Sequence, residues 1–243
     1  MSTTHQKLER HSLGFTLMIL VVASIGGLVE IAPLFTIENT VEKVDGMRPY
    51  TPLEQAGRDI YVREGCYACH SQMIRTLRAD VERYGQFSLA AESMYDHPHQ
   101  WGSKRTGPDL ARIGGKYSDD WHAAHLKAPR ELVQGSVMPG YAFLADTHLI
   151  ADRLPASLTS LAAIGVPYTD EQIAHAANDA RRQADQEAAF EDELKDRYGP
   201  KVNVRDFDGD PNKVTEMDAL IAYLQMLGTL VDVDDLPSEA LIR

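Results

Sequence analysis

Hydrophobic and polar residues alternate on two different scales along this chain. Residues 13–29 (LGFTLMILVVASIGGLV) carry no charge, and the apolar character persists to residue 35 with Glu30 as its one interruption. A helix rises about 1.5 Å per residue, so residues 13–35 are ample to cross a hydrocarbon layer of ~30 Å. Beyond that the pattern breaks into short amphipathic pieces. Residues 36–50 are polar, with Gly46 and Pro49, and read as a linker. Residues 51–64 predict a helix. Thr51 is placed as its N-cap, Pro52 suits the first helical position, Glu54 completes a capping-box pattern, and Leu53, Ala56, Ile60 and Tyr61 recur on one face. Residues 71–101 are irregular, Gly107-Pro108 marks a turn, and residues 118–127 predict a short helix ahead of Pro129.

Leu154, Leu158, Leu161 and Ile164 predict one amphipathic helix, and Thr169 starts another that runs to about Tyr198. This second one is alanine-rich and charged, with only a thin apolar face. It is expected to stand out from the core, solvated or docked on a neighbouring subunit. Residues 199–213 read as a loop. Met217, Leu220, Ile221, Leu224 and Leu227 then predict a closing helix over residues 214–230, followed by an acidic tail at 231–243. The expected order is an N-terminus at 1–12, an anchor at 13–35, a linker at 36–50, one domain built from 51–143 and 214–230, and a helical insertion at 144–213.

The flanks of the apolar stretch give it a direction. No A-x-A cleavage site follows, so an uncleaved signal-anchor is expected. Lys7 and Arg10 precede it, and Glu30, Glu38 and Glu42 lie at or beyond its far end. The excess of basic residues then places the N-terminus in the cytoplasm and the rest outside. Ala23 and Gly27 form a small-xxx-small pair that permits close helix packing. The net charge of −12 argues against a nucleic-acid partner and suits basic partners or a well-solvated surface.

The chemistry concentrates in Cys66-Tyr67-Ala68-Cys69-His70, which holds both cysteines of the chain. C-x-x-C-H is the attachment motif for a c-type haem: two thiols spaced for the two vinyl groups, and an imidazole that follows at once as proximal ligand. A thioredoxin-like pair would need a βαβ pattern, which is not visible. A zinc site would need further ligands, and a plain disulfide is also open to two cysteines. For the distal ligand the candidates are Met73, Met94, Met138, Met217 and Met226, with His122 and His125 as alternatives. Met73 is too close to His70 to reach the opposite face, and Met217 and Met226 sit on an apolar helix. Met138 lies in a loop before Pro139 and ahead of the last helix, which favours it. The carbonyl of Pro108 is expected to accept the second imidazole N–H of His70. Arg112, Lys104, Arg105 and Trp121 are candidate neighbours of the haem propionates. Asp206, Asp208 and Asp210 resemble the start of a calcium loop but lack its terminal glutamate, so a solvated loop is expected. Asp96-His97-Pro98-His99 has too few ligands for a metal site.

Taken together, these stretches resemble the membrane-anchored mono-haem subunit, subunit II, of cbb(3)-type cytochrome c oxidases. The resemblance runs through Gly65-Cys-Tyr-Ala-Cys-His-Ser-Gln-Met-Ile-Arg75, Glu82-Arg-Tyr-Gly85, Tyr95-Asp-His-Pro98, Tyr117-Ser-Asp-Asp-Trp-His122, Met138-Pro and Gly165-Val-Pro-Tyr. Its most specific block is Trp101-Gly-Ser-Lys-Arg-Thr-Gly-Pro-Asp-Leu-Ala-Arg112. It implies a mainly α fold: one N-terminal transmembrane helix and a cytochrome c-like haem domain with an additional helical insertion. It also implies one covalent haem c on Cys66 and Cys69, with His70 and Met138 as axial ligands. The chain would sit in a bacterial inner membrane with its haem domain in the periplasm. It would take electrons from a di-haem cytochrome c subunit or a soluble cytochrome c and pass them to a catalytic haem-copper subunit, where oxygen is reduced. The competing readings are the anchored cytochrome of nitric oxide reductase, a free-standing tethered carrier and a haem-based sensor.

Overall fold

The computed structural model describes residues 6, 9–35, 44–102, 104–185 and 188–231. Most of the expected N-terminus, residues 36–43 of the expected linker, and residues 232–243 of the acidic tail lie outside them. The chain divides into two units, residues 1–42 and 43–243.

The first unit contains helix α1, Ser12–Ile31, and a 3-10 turn at Ala32–Phe35. α1 has 20 residues with a mean hydropathy of 2.2, and none of them is buried. It is the one helix among the described residues that is long and apolar enough to cross a membrane. The regular helix ends at Ile31, short of residue 35. Pro33 has no backbone N–H with which to continue the helical ladder, and the chain runs on as the 3-10 turn.

The second unit is helical, and the described residues hold no strand, only a single antiparallel bridge between His148 and Thr215. Its helices are α2 (Pro52–Arg63), α3 (Arg78–Tyr84), α4 (Asp119–Lys127), α5 (Pro129–Leu132), α6 (Leu154–Ala163), α7 (Asp170–Gln183), α8 (Ala188–Tyr198) and α9 (Glu216–Met226). α2 starts as its residues direct. The Thr51 hydroxyl accepts the Glu54 N–H, and the Glu54 carboxylate accepts the Thr51 N–H. That carboxylate also receives a two-pronged pair from Arg48, which draws the end of the linker onto the domain.

The core forms where α2 crosses α9. Every residue of α9 is buried, including Glu216, Asp218 and Gln225. The amphipathic pattern of residues 214–230 does not anticipate this, because it cannot reveal how many segments wrap the helix. Here its polar side chains face ordered partners. The Asp218 carboxylate accepts the N–H groups of Thr215, Phe207 and Asp208. Gln225 donates to the Tyr117 carbonyl and to Asp119. Gly57 permits the crossing itself: a Cβ there would lie 1.9 Å from the Ala219 carbonyl oxygen and 2.7 Å from Tyr223 Cβ.

Residues 169–198 do not form one helix standing away from the core. The helix breaks after Gln183, and α8 runs back toward α7. Ala176, Ala180 and Ala184 share the core cluster that holds Leu53 of α2 and Leu220 of α9. A face of alanines is thin, but its small side chains let the neighbouring helices come close enough for burial. The reversal also serves Asp179, which is buried in α7. Its carboxylate accepts from Arg197 at 2.7 Å and from the Tyr198 hydroxyl at 2.8 Å, both in the last turn of α8. Leu194, Tyr198 and Val202 form a small second cluster under that turn.

Gly57→Ala is expected to destabilise the second unit by about 1–3 kcal/mol, the usual cost of overpacking a close contact. Denaturant unfolding of the purified protein measures this, and an unchanged midpoint would contradict the crossing described.

Candidate functional site

α2 delivers the cysteine motif. The helix ends at Arg63, and Gly65, at φ 72°, turns the chain into a single 3-10 turn, Cys66–Ala68. The Cys66 carbonyl accepts the N–H groups of Cys69 (3.1 Å) and His70 (2.9 Å). The two thiols and the imidazole are thereby carried on one tight turn. Both thiols are free; Cys66 is half-buried and Cys69 exposed. Burial, reinforced by the nearby Glu64 carboxylate, pushes the Cys66 thiol up to about 11.

A second segment, residues 107–110, runs alongside. The Gly107 N–H donates to the Cys69 carbonyl at 2.9 Å, and the Leu110 N–H donates to the Ser71 carbonyl at 2.8 Å. Between these two rungs, His70 Nδ1 donates to the Pro108 carbonyl at 2.8 Å. This fixes both the ring orientation and the tautomer, and leaves the lone pair on Nε2. Burial lowers the His70 pKa, opposed by the Pro108 bond and by the negative charge of Asp109. The approach is close enough that only glycine fits at 107: a Cβ there would lie 2.2 Å from His70 Cε1.

The methionines fall into distinct environments. Met217 and Met226 are buried in the all-round core of α9, and Met94 is exposed. Met73 shares the backbone segment of His70, with its N–H on Asp109 and its carbonyl on Arg105. Met138 is half-buried against the main core cluster, in a loop pinned to the end of α4 by the Tyr141 N–H on the Leu126 carbonyl at 2.7 Å. His122 is buried, and burial lowers its pKa to about 4. Its ring meets Tyr117 and Trp121 edge-on. His125 stacks on Trp121 at 4.6 Å, and Trp121 in turn stacks on Tyr117 at 4.0 Å.

The basic residues named from sequence divide sharply. Arg112 places its terminal nitrogens on Glu92, the Ala111 carbonyl and the Phe87 carbonyl. All four of its terminal N–H groups are thus used inside the protein, where it braces residues 87–92, while its buried Nε has no hydrogen-bond partner among the described residues. Arg105 is likewise committed, to Ser71, Asp80, Asp109 and the Met73 carbonyl. Lys104 is exposed and Trp121 half-buried. Asp96 serves as a structural acceptor for Arg58 and Tyr50. Oxygens of Asp206, Asp208 and Asp218 approach one another within 4.8 Å, with Asp218 taking the place that the sequence pattern gave to Asp210.

The donor set fits a covalent haem c: two free thiols on one turn, an imidazole with its second nitrogen already occupied, and a thioether in a pinned loop. Gly107, whose turn the sequence marks, completes this arrangement together with Ser71 and Asp109, which carry no sequence signal of their own although Asp109 follows Pro108 directly in the most specific block. Gly107→Ala is expected to push the imidazole off the Pro108 carbonyl. Exchange of the His70 ring proton, followed by NMR, should then speed up about tenfold, the equivalent of ~1.4 kcal/mol for one lost hydrogen bond. Unaltered exchange would contradict the geometry.

No curated protein matches this chain. The family model for cytochrome c oxidase, mono-heme subunit/FixO, matches residues 5–231. A match over nearly the whole chain, on top of the C-x-x-C-H turn and its fixed histidine, places the protein in the mono-haem subunit (FixO) family of cytochrome c oxidase.

Proposed function

We propose that this chain is the electron-transfer subunit of a cbb(3)-type haem-copper oxidase, with a single haem c attached through Cys66 and Cys69. The observation that carries the proposal is the His70–Pro108 hydrogen bond beside two free thiols. Each thiol would add across one vinyl group, forming a thioether and passing its hydrogen to the vinyl carbon. His70 Nε2 would take the proximal position and the Met138 thioether the distal one. Thioether ligation suits electron transfer, because a six-coordinate iron has no open place for oxygen and methionine raises the potential. Haem c, when bound, supplies a one-electron couple. In this reading the protein would hold the His70 ring at a fixed angle on the Pro108 carbonyl, just beyond the end of α2. Trp121, whose indole N–H can donate, is a candidate propionate neighbour in this reading, along with Arg112, Lys104 and Arg105.

In the same proposal α1 anchors the chain in a bacterial inner membrane, with its N-terminus in the cytoplasm and the haem domain in the periplasm. Electrons arrive from a di-haem cytochrome c subunit or a soluble cytochrome c. They leave for the catalytic haem-copper subunit, where oxygen becomes water. This chain contributes no oxygen-reducing site.

Gentle detergent extraction followed by native electrophoresis tests the assembly. A 27.0 kDa haem-staining chain should migrate with a large multi-span subunit and resist denaturation, and Cys66→Ser with Cys69→Ser should remove the stain. Migration of the stained chain alone would favour a free-standing carrier. Met138→Ala should abolish the far-red sulfur-to-iron absorption of the oxidised protein; persistence of that band would rule Met138 out as ligand.

A further inference from the structure

Behind the His70–Pro108 bond lies a buried charge pair that ligation alone does not require. Ser71 follows His70 directly, and Asp109 follows Pro108 directly, so the rung next to the imidazole bond is the Ser71 hydroxyl on the Asp109 carboxylate. The Asp109 side chain is completely buried. It also accepts the N–H of Met73 at 3.1 Å and of Ala111 at 2.8 Å. Arg105 closes over the pair. Its Nε donates to Ser71 Oγ at 2.7 Å, its Nη2 reaches Asp109 at 3.4 Å, and both terminal nitrogens hold Asp80 at 2.9 Å. The guanidinium lies over the Tyr84 ring at 4.9 Å.

We propose that Asp109 is a positioning residue for the proximal histidine, that Arg105 limits its charge, and that the two together set the reduction potential of the haem. The proposal rests on the haem reading above. Two effects of Asp109 act in the same direction. By holding residues 107–110 against residues 69–71, it keeps the Pro108 carbonyl on His70, and a firmly hydrogen-bonded imidazole is a stronger donor to iron. Its negative charge also lies in a buried setting, where fields are weakly screened. Both effects favour the oxidised, more positive iron. Arg105 opposes the second effect without being needed for the first, since Ser71, Met73 and Ala111 also hold the carboxylate. A purely structural role would let either substitution loosen the same segment and move the potential in the same way. The charge pair requires the two substitutions to move it in opposite ways.

The test is redox titration of the full-length chain in its purified complex. Asp109→Asn should shift the oxidation equilibrium about tenfold toward the reduced haem, equivalent to 59 mV for one electron. Arg105→Gln should shift it the other way, with the far-red band of the oxidised protein retained in both. Unchanged potentials, or two shifts of the same sign, overturn the proposal. Should Asp109→Asn fail to retain haem, Ser71→Ala removes the rung, and with it the Ser71 acceptor of Arg105 Nε, while leaving both charges in place. A smaller shift toward the reduced form then supports the proposal, and no shift overturns it. Absence of covalent haem from the unsubstituted protein overturns the haem reading itself, and the proposal with it.

Discussion

The hydrogen bond from His70 to the Pro108 carbonyl is the constraint on which the rest of this domain depends. At 2.8 Å it requires two segments far apart in sequence to lie side by side at atomic precision. The Cys69–Gly107 and Ser71–Leu110 backbone rungs align them, and the absence of a Cβ at Gly107 lets the ring approach. The cysteine turn is in turn held by the end of α2, whose position comes from its crossing with α9. The site therefore inherits its rigidity from the helix pair, while the adjoining polar segment aims the His70 ring.

With no sheet among its described residues, the domain must stabilise its long irregular stretches by other means. Four of the buried aspartates show how. Asp96 ties residues 96–98 to α2, Asp109 ties the two sides of the site together, Asp179 ties α8 to α7, and Asp218 ties residues 207–208 to the start of α9. An ionised carboxylate accepts several hydrogen bonds at once, so one side chain can satisfy backbone donors from two segments. Desolvation is offset because each carboxylate is fully partnered, three of them by arginine. Asp218 has backbone and hydroxyl donors only. Burial, the neighbouring Asp208 adding to it, raises its pKa to about 6.

What could be read from the sequence was what local chemistry decides. The Thr51–Glu54 cap, the Ser118 cap of α4, the cysteine turn and the Gly107-Pro108 turn all act within a few residues, and the structure has each of them. The partners of charged side chains were not legible. Nothing near Arg112 and Arg105 in sequence discloses that they pair with Glu92 and Asp80. The break after Gln183 escaped for the same reason. The alanine-rich tract has good helix propensity throughout, and the reversal is imposed by Asp179 reaching for residues 197 and 198. The burial of α9 on every side belongs to this class too, since periodicity reports a preferred face and not the number of neighbours.

The crossing at Gly57 also bears on the order in which the protein becomes complete. Gly57 meets Ala219, about 160 residues later, and chains are made from the N-terminus onward. When α2 and the cysteine turn emerge, the helix that will cross α2 has not been synthesised. Closing so long a loop is entropically slow, so the nascent domain passes through a period in which α2 lacks the partner that holds it. The turn that α2 carries, with Cys69 exposed even in the finished fold, is therefore fixed in place only when α9 arrives.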